Sequence, residues 1–141
     1  MRPFSGASSV TSPASALDAL APVGRLPLEE YRQRFYERKA AERLLQEAIE
    51  AALDINTHVI AEHGVEIPED YYGGFLALGR LHVIPEELAR QLAPSAGLRN
   101  RLVHEYEALD DAKVLASIET ILKLYPEFVS AIESFLIRSG L

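Results

Sequence analysis

The stretch ERLLQEAIEAALDINTHVIAEHG, residues 42–64, decides the fold. Leu45, Ile49, Leu53 and Ile60 follow one another at intervals of four, four and seven, which puts them on one face of a helix with about 3.6 residues per turn. The same spacing runs upstream through Leu28, Tyr31 and Phe35. Pro27 before Glu29 and Glu30 is a good helix opening, and Gly64 supplies a stop. The pattern predicts one helix across residues 28–63, or two joined near Arg38–Ala40. Asn56 falls inside the apolar arc, so it should find either a helix-to-helix hydrogen bond or a dimer contact. Asp54 and His58, with Glu50 just before them, lie on the polar side. They are either a solvated i, i+4 pair or the acidic support of a site.

The rest of the chain repeats the helical signature. VEIPEDYYGGFLALGRL opens a helix at Pro68, with Gly73 and Gly74 weakening it while letting another backbone come close. IPEELARQL starts a third helix, which Pro94 must break. A fourth follows over residues 95–106. LDDAKVLASIETILKLYPEFVSAIESFLIRSGL closes the chain, capped by Asp110 or Asp111, with Leu115, Ile118, Ile121, Leu122 and Tyr125 as its buried stripe, Pro126 as a kink and Gly140 as its end. No segment alternates as a strand would. The fold class is therefore all-α, an antiparallel helical bundle.

Residues 1–25 are rich in Ser, Ala, Pro and Gly and read as a disordered extension, leaving residues 26–141 as one helical domain. Their single early Arg and lack of an apolar block fit a secretory signal poorly, so the cytoplasm is the default location. With no cysteine in 141 residues, disulfides, thiolate metal sites and cysteine nucleophiles are excluded. The four histidines never take a helical metal-ligand spacing, so neither metal nor cofactor is expected; His63 and His82 read as cap or surface residues. A formal charge of −7 argues against indiscriminate binding along a polyanion. Any nucleic-acid contact must be local.

Basic residues crowd at LRNRLVHEY, residues 98–106. At about 100° per residue, Leu98, Leu102, Val103 and Tyr106 share one arc and Arg99 falls inside it. His104 lies about 140° round from Arg99, beside Asn100 and close to Arg101. One straight helix cannot easily aim Arg99 and His104 at a single atom. Two readings compete. In the plain one, Arg99 pairs with an acid on a neighbouring helix, Tyr106 packs in the core and His104 is a partly exposed histidine. In the other, two copies meet across a two-fold axis and Arg99 and His104 converge from different subunits. Such a cleft suits RNA: histidine removes the 2′-hydroxyl proton and arginine stabilises charge on the scissile phosphate, leaving 2′,3′-cyclic phosphate and 5′-hydroxyl ends without a metal.

RNRLVHEY resembles the signature of the HEPN superfamily, an Arg, four to six residues and a His, commonly with a polar residue after the Arg. Here these are Arg99, Asn100 and His104, and the added His-x-Tyr, His104 to Tyr106, is similar to the HepT branch. ERLLQEAIEAALDINTHVIAEHG, VIPEEL and LVHEYEALDD are also similar to HepT-like proteins and occur in the same order, over roughly residues 30–138. The resemblance implies a helical homodimer with its cleft at the interface. It implies a metal-independent endoribonuclease toxin of a type VII-like toxin–antitoxin system, with Arg99 and His104 catalytic and Asn100, Arg101 and Asp54 supporting. The implied partner is an MNT-type nucleotidyltransferase antitoxin that attaches AMP to Tyr106. Added phosphodiester charge there would repel RNA, whether the substrate is tRNA or mRNA. The competing classes are a non-catalytic nucleotide-binding or regulatory subunit of a nucleotidyltransferase complex and a plain dimerisation module.

Overall fold

A computed structural model describes residues 13–140. Its helices are α1 (Pro13–Gly24), α2 (Leu28–Gln33), α3 (Phe35–Glu62), α4 (Tyr71–Arg80), α5 (Glu86–Leu92), α6 (Ser95–His104) and α7 (Asp111–Arg138), with a 3₁₀ turn at Tyr106–Ala108 between the last two. Among the described residues there is no strand, and the chain is an all-α helical bundle, as expected. No helix among them is long and apolar enough to cross a membrane.

The expected disordered extension needs correction. Residues 1–12 lie outside the described residues, but residues 13–24 form α1, which packs on α3 and α7. Ala16 and Leu20 are fully buried and Leu17 nearly so. With Val23 they form an i, i+1, i+4, i+7 stripe, short enough to be lost within a stretch whose Ser, Pro and Gly content suggests a loop. The domain thus begins earlier than position 26.

The long N-terminal pattern does divide, but at Arg34 (φ −96°, ψ 80°) rather than near Arg38–Ala40. Tertiary packing sets the break: α2 buries Tyr31 and packs on α7 as well as α3, whereas α3 packs on α1, α4 and α6. Phe35, continuing the apolar spacing, is left exposed. Within α3 the predicted stripe Leu45, Ile49, Leu53 and Ile60 is buried.

Asp70 caps α4 by accepting a 2.7 Å hydrogen bond from the Gly73 N–H, so the helix starts three residues after Pro68. The close backbone approach expected at Gly73 and Gly74 occurs instead at Gly79. A Cβ there would lie 2.9 Å from Cβ of Ala89 and 3.2 Å from Cα of Glu86, so only glycine lets α4 and α5 cross this tightly. His82, between them, adopts φ 59°. Pro94 separates α5 from α6, as its ring requires. Asp110 caps α7 through the N–H groups of Ala112 and Lys113. Of its predicted stripe, Ile118, Ile121 and Tyr125 are buried, joined by Val114, Phe128 and Ile132, while Leu115 and Leu122 are half-buried along α1. His63 caps α3, its Nδ1 2.9 Å from the carbonyl oxygen of Val59.

Candidate active site on α6

The helix carrying Arg99 and His104 ends sooner than its sequence suggested. Glu105 leaves the α region (φ −130°, ψ 29°), so α6 stops at His104 and Tyr106 opens the 3₁₀ turn. Tyr106 is therefore not on the arc of a straight helix; its side chain lies outside the described residues. Leu98 and Leu102 are buried, and α6 packs on α3 and α4.

Arg99 sits on the α3 and α4 side, its side chain 21% exposed. Its Nε and Nη2 donate to Oε2 of Glu50 at 3.2 and 3.0 Å. The same oxygen accepts from Nε2 of Gln46 at 3.3 Å, and Nη1 reaches Oδ1 of Asn100 at 3.4 Å. The guanidinium lies 5.5 Å from the centroid of the Tyr71 ring. A carboxylate on α3 and an aromatic face on α4 therefore hold the arginine in one orientation. Asn100 is exposed and contacts Arg99 through its Oδ1 alone.

His104 is exposed and makes no hydrogen bond with a described side chain. Residue geometry puts it on the other side of α6 from Arg99 and about 60° from Arg101. Arg101, also exposed, has no ion-pair partner among the described residues. Within one chain the structure does not bring Arg99 and His104 together.

The early acid that meets the motif is Glu50. Asp54, one turn further along α3, is exposed and bonds to none of the motif residues, and His58 stands 3.8 Å from Glu62 instead. Sequence could not separate Glu50 from Asp54, since residues four apart differ by only about 40° around the axis. Tyr71 was missed altogether; an aromatic at the first position of α4 carries no periodic signal. The helix-to-helix hydrogen bond offered for Asn56 is absent: it is 2% exposed, and neither Oδ1 nor Nδ2 has a hydrogen-bonding partner among the described residues. Tyr125 Oη bonds Ser95 Oγ at 2.7 Å, which itself donates to the Leu92 carbonyl. Burial pushes the phenol's pKa up, the hydrogen bond opposing it, so it stays a neutral hydroxyl. No group of three or more His, Cys, Asp or Glu among the described residues is arranged to hold a metal ion.

Comparison with known proteins places these features in a lineage. Residues 15–132 match the sequence profile of the family described as Ribonuclease HepT-like, starting inside α1. The chain is 40% identical over 121 residues, 86% of its own length and 82% of the relative's, to the tRNA nuclease HepT of Aphanizomenon flos-aquae (strain 2012/KM1/D3). It is 29% identical over 90 residues, 64% of this chain and 68% of the relative, to the mRNA nuclease HepT of Shewanella oneidensis. The fold superposes with TM-score 0.76 on a tri-AMPylated Shewanella oneidensis HEPN toxin in complex with MNT antitoxin, at 23% identity over 86% of this chain and 91% of that one. It also superposes with TM-score 0.75 on YutE, a cytosolic protein of unknown function from Bacillus subtilis, at 19% identity over 94% and 91% of the two chains.

Proposed function

Because this chain belongs to the HepT-like ribonuclease family, we propose that it is the RNA-cleaving toxin of a toxin–antitoxin pair, acting as a homodimer through Arg99 and His104. The observation that carries the reading is their placement on opposite sides of α6, Arg99 held by Glu50 and Tyr71 and His104 open. Two copies of α6 facing each other would bring Arg99 of one to His104 of the other. An imidazole nitrogen then takes the proton of a ribose 2′-hydroxyl, and the 2′-oxygen attacks the adjacent phosphorus. The P–O5′ bond breaks and the departing 5′-oxygen takes a proton from water, giving 2′,3′-cyclic phosphate and 5′-hydroxyl ends. Arg99 stabilises the phosphorane charge, and Asn100, bonded to it, helps fix its plane. Asp54, on the same polar side of α3, adds acidic support at the mouth. A net charge of −7 is compatible with a substrate docked at this one basic locus, a tRNA or an mRNA.

A nucleotidyltransferase antitoxin of the MNT type is the proposed partner and Tyr106 the residue it modifies with AMP. The 3₁₀ turn at the end of α6 places that residue two positions beyond His104, where an added phosphodiester would repel an RNA backbone. The Glu50–Arg99 pair supports a second reading, a binding subunit that holds a nucleotide and does not cut, since the guanidinium is already half-neutralised.

One experiment separates them. Purified chain free of partner, incubated in EDTA with total RNA, is expected to leave cyclic phosphate ends, and His104→Ala to lose cleavage while keeping fold and dimer. Cleavage retained in that variant overturns the assignment. Intact-mass measurement accompanies it, because an AMP adduct on Tyr106 would silence the wild type.

A further inference from the structure

The opposite flank of α6 from Arg99 borders a cleft that the proposed chemistry leaves unused. It lies between α5, α6 and α7, has a volume of about 260 Å³, and takes its apolar walls from Leu92, Leu98, Ile121 and Leu124. Ser117, Thr120 and Gln91 add polar groups, and Arg101 stands at its side. The Arg101 guanidinium folds back along the helix beside this cleft, its Nη1 3.6 Å from where a Cβ on Gly97 would stand, an ordinary contact distance. Among the described residues no carboxylate answers its charge. An unneutralised guanidinium beside an apolar slot with a few hydroxyls is the chemistry that binds a flat heteroaromatic ring attached to a phosphate.

We propose that this cleft is a nucleotide subsite, Arg101 holding a phosphate and the slot between α6 and α7 receiving the attached base. The cleft falls just below the roughly 300–1,000 Å³ of ordinary small-ligand pockets, which suits one base and excludes a folded dinucleotide. His104 stands one turn further along α6, about 60° from Arg101, so a strand seated here runs on towards it. The groove between α1 and α7 is larger, about 1010 Å³, but sets Asp18 and Glu119 against one Arg25 and would repel a phosphate. The assignment to RNA rests on the ribonuclease reading above; the cleft's affinity for a nucleoside phosphate does not.

The test measures binding rather than cutting. Fluorescence anisotropy would follow a 2′-O-methylated RNA oligonucleotide, which cannot be cleaved through its 2′-oxygen, and calorimetry would follow AMP, each on the full chain. Variants are Arg101→Gln, Thr120→Phe, which narrows the slot at an exposed position without altering charge, and Arg80→Gln as an exposed cation elsewhere. Arg101→Gln and Thr120→Phe are each expected to weaken the oligonucleotide about tenfold, with Arg80→Gln unchanged. The same loss for AMP alone keeps the nucleotide site and assigns it to a free mononucleotide rather than an RNA chain. Equal affinities for wild type, Arg101→Gln and Thr120→Phe towards both probes overturn the proposal. Failure of the ribonuclease reading shows separately, as absent cleavage with binding intact.

Discussion

One carboxylate oxygen, Oε2 of Glu50, stands within hydrogen-bonding reach of both Nε and Nη2 of Arg99, 3.2 and 3.0 Å away. Arg99 has no other carboxylate partner among the described residues. Its direction therefore depends on α3. Glu50→Ala is expected to lower kcat for RNA cleavage about 10–100-fold, because a misplacement near 1 Å costs on the order of a hundredfold. Glu50→Gln, keeping an acceptor oxygen, should retain most of it. Unfolding free energy should change by no more than about 1 kcal/mol, as for other partly exposed pairs. Steady-state kinetics beside urea denaturation checks both.

Asn56 is buried with both ends of its amide unpartnered, and it borders a cavity of about 50 Å³ lined also by Leu53, Ile60 and Gly74. Asn56→Leu removes the desolvated polar group and offers a methyl to that space. The variant should be more stable by about 1 kcal/mol, read as a higher urea midpoint. A lower midpoint would mean that the amide has a partner in the assembled protein.

Leu20 is fully buried on α1. Leu20→Ala should cost about 2–5 kcal/mol, and a chain beginning at residue 26 should melt earlier or fail to fold. Thermal denaturation of both decides whether α1 belongs to the domain; an unchanged melting temperature would return it to the status of an appendage.

His82 is the one described non-glycine residue with positive φ, at 59°. Such a conformation is costly for a side chain with a Cβ. His82→Gly is expected to stabilise the chain by about 0.5–1 kcal/mol, the gain partly offset by the freer unfolded glycine. The shift in the urea midpoint measures it.

What sequence could reveal followed from how far each signal extends. The stripe on α3 repeats over many turns and was legible, as were the Pro-led openings around α5 and α6. The α1 stripe spans barely two turns, and the Ser and Pro content before it outweighs so brief a repeat. Arg34 carries no Gly or Pro to announce a break; the direction of α2 is set by its packing on α7, which no local window contains. Arg99 and His104 were legible as residues, and their disposition on opposite sides followed from helix geometry alone. Tyr71 became visible, and Glu50 distinguishable from Asp54, only when α3, α4 and α6 were packed, because contact across helices leaves no trace in linear spacing.

The pairing of α1 with α7 has a consequence for synthesis. These are the first and last helices among the described residues, so loop closure between them waits until α7 itself has left the ribosome. A nascent chain stalled before α7 lacks Ile118, Tyr125 and Phe128, which complete the core on which α6 leans. The core that supports α6 is therefore complete only once α7 has been made, and products truncated before α7 should be degraded rather than active.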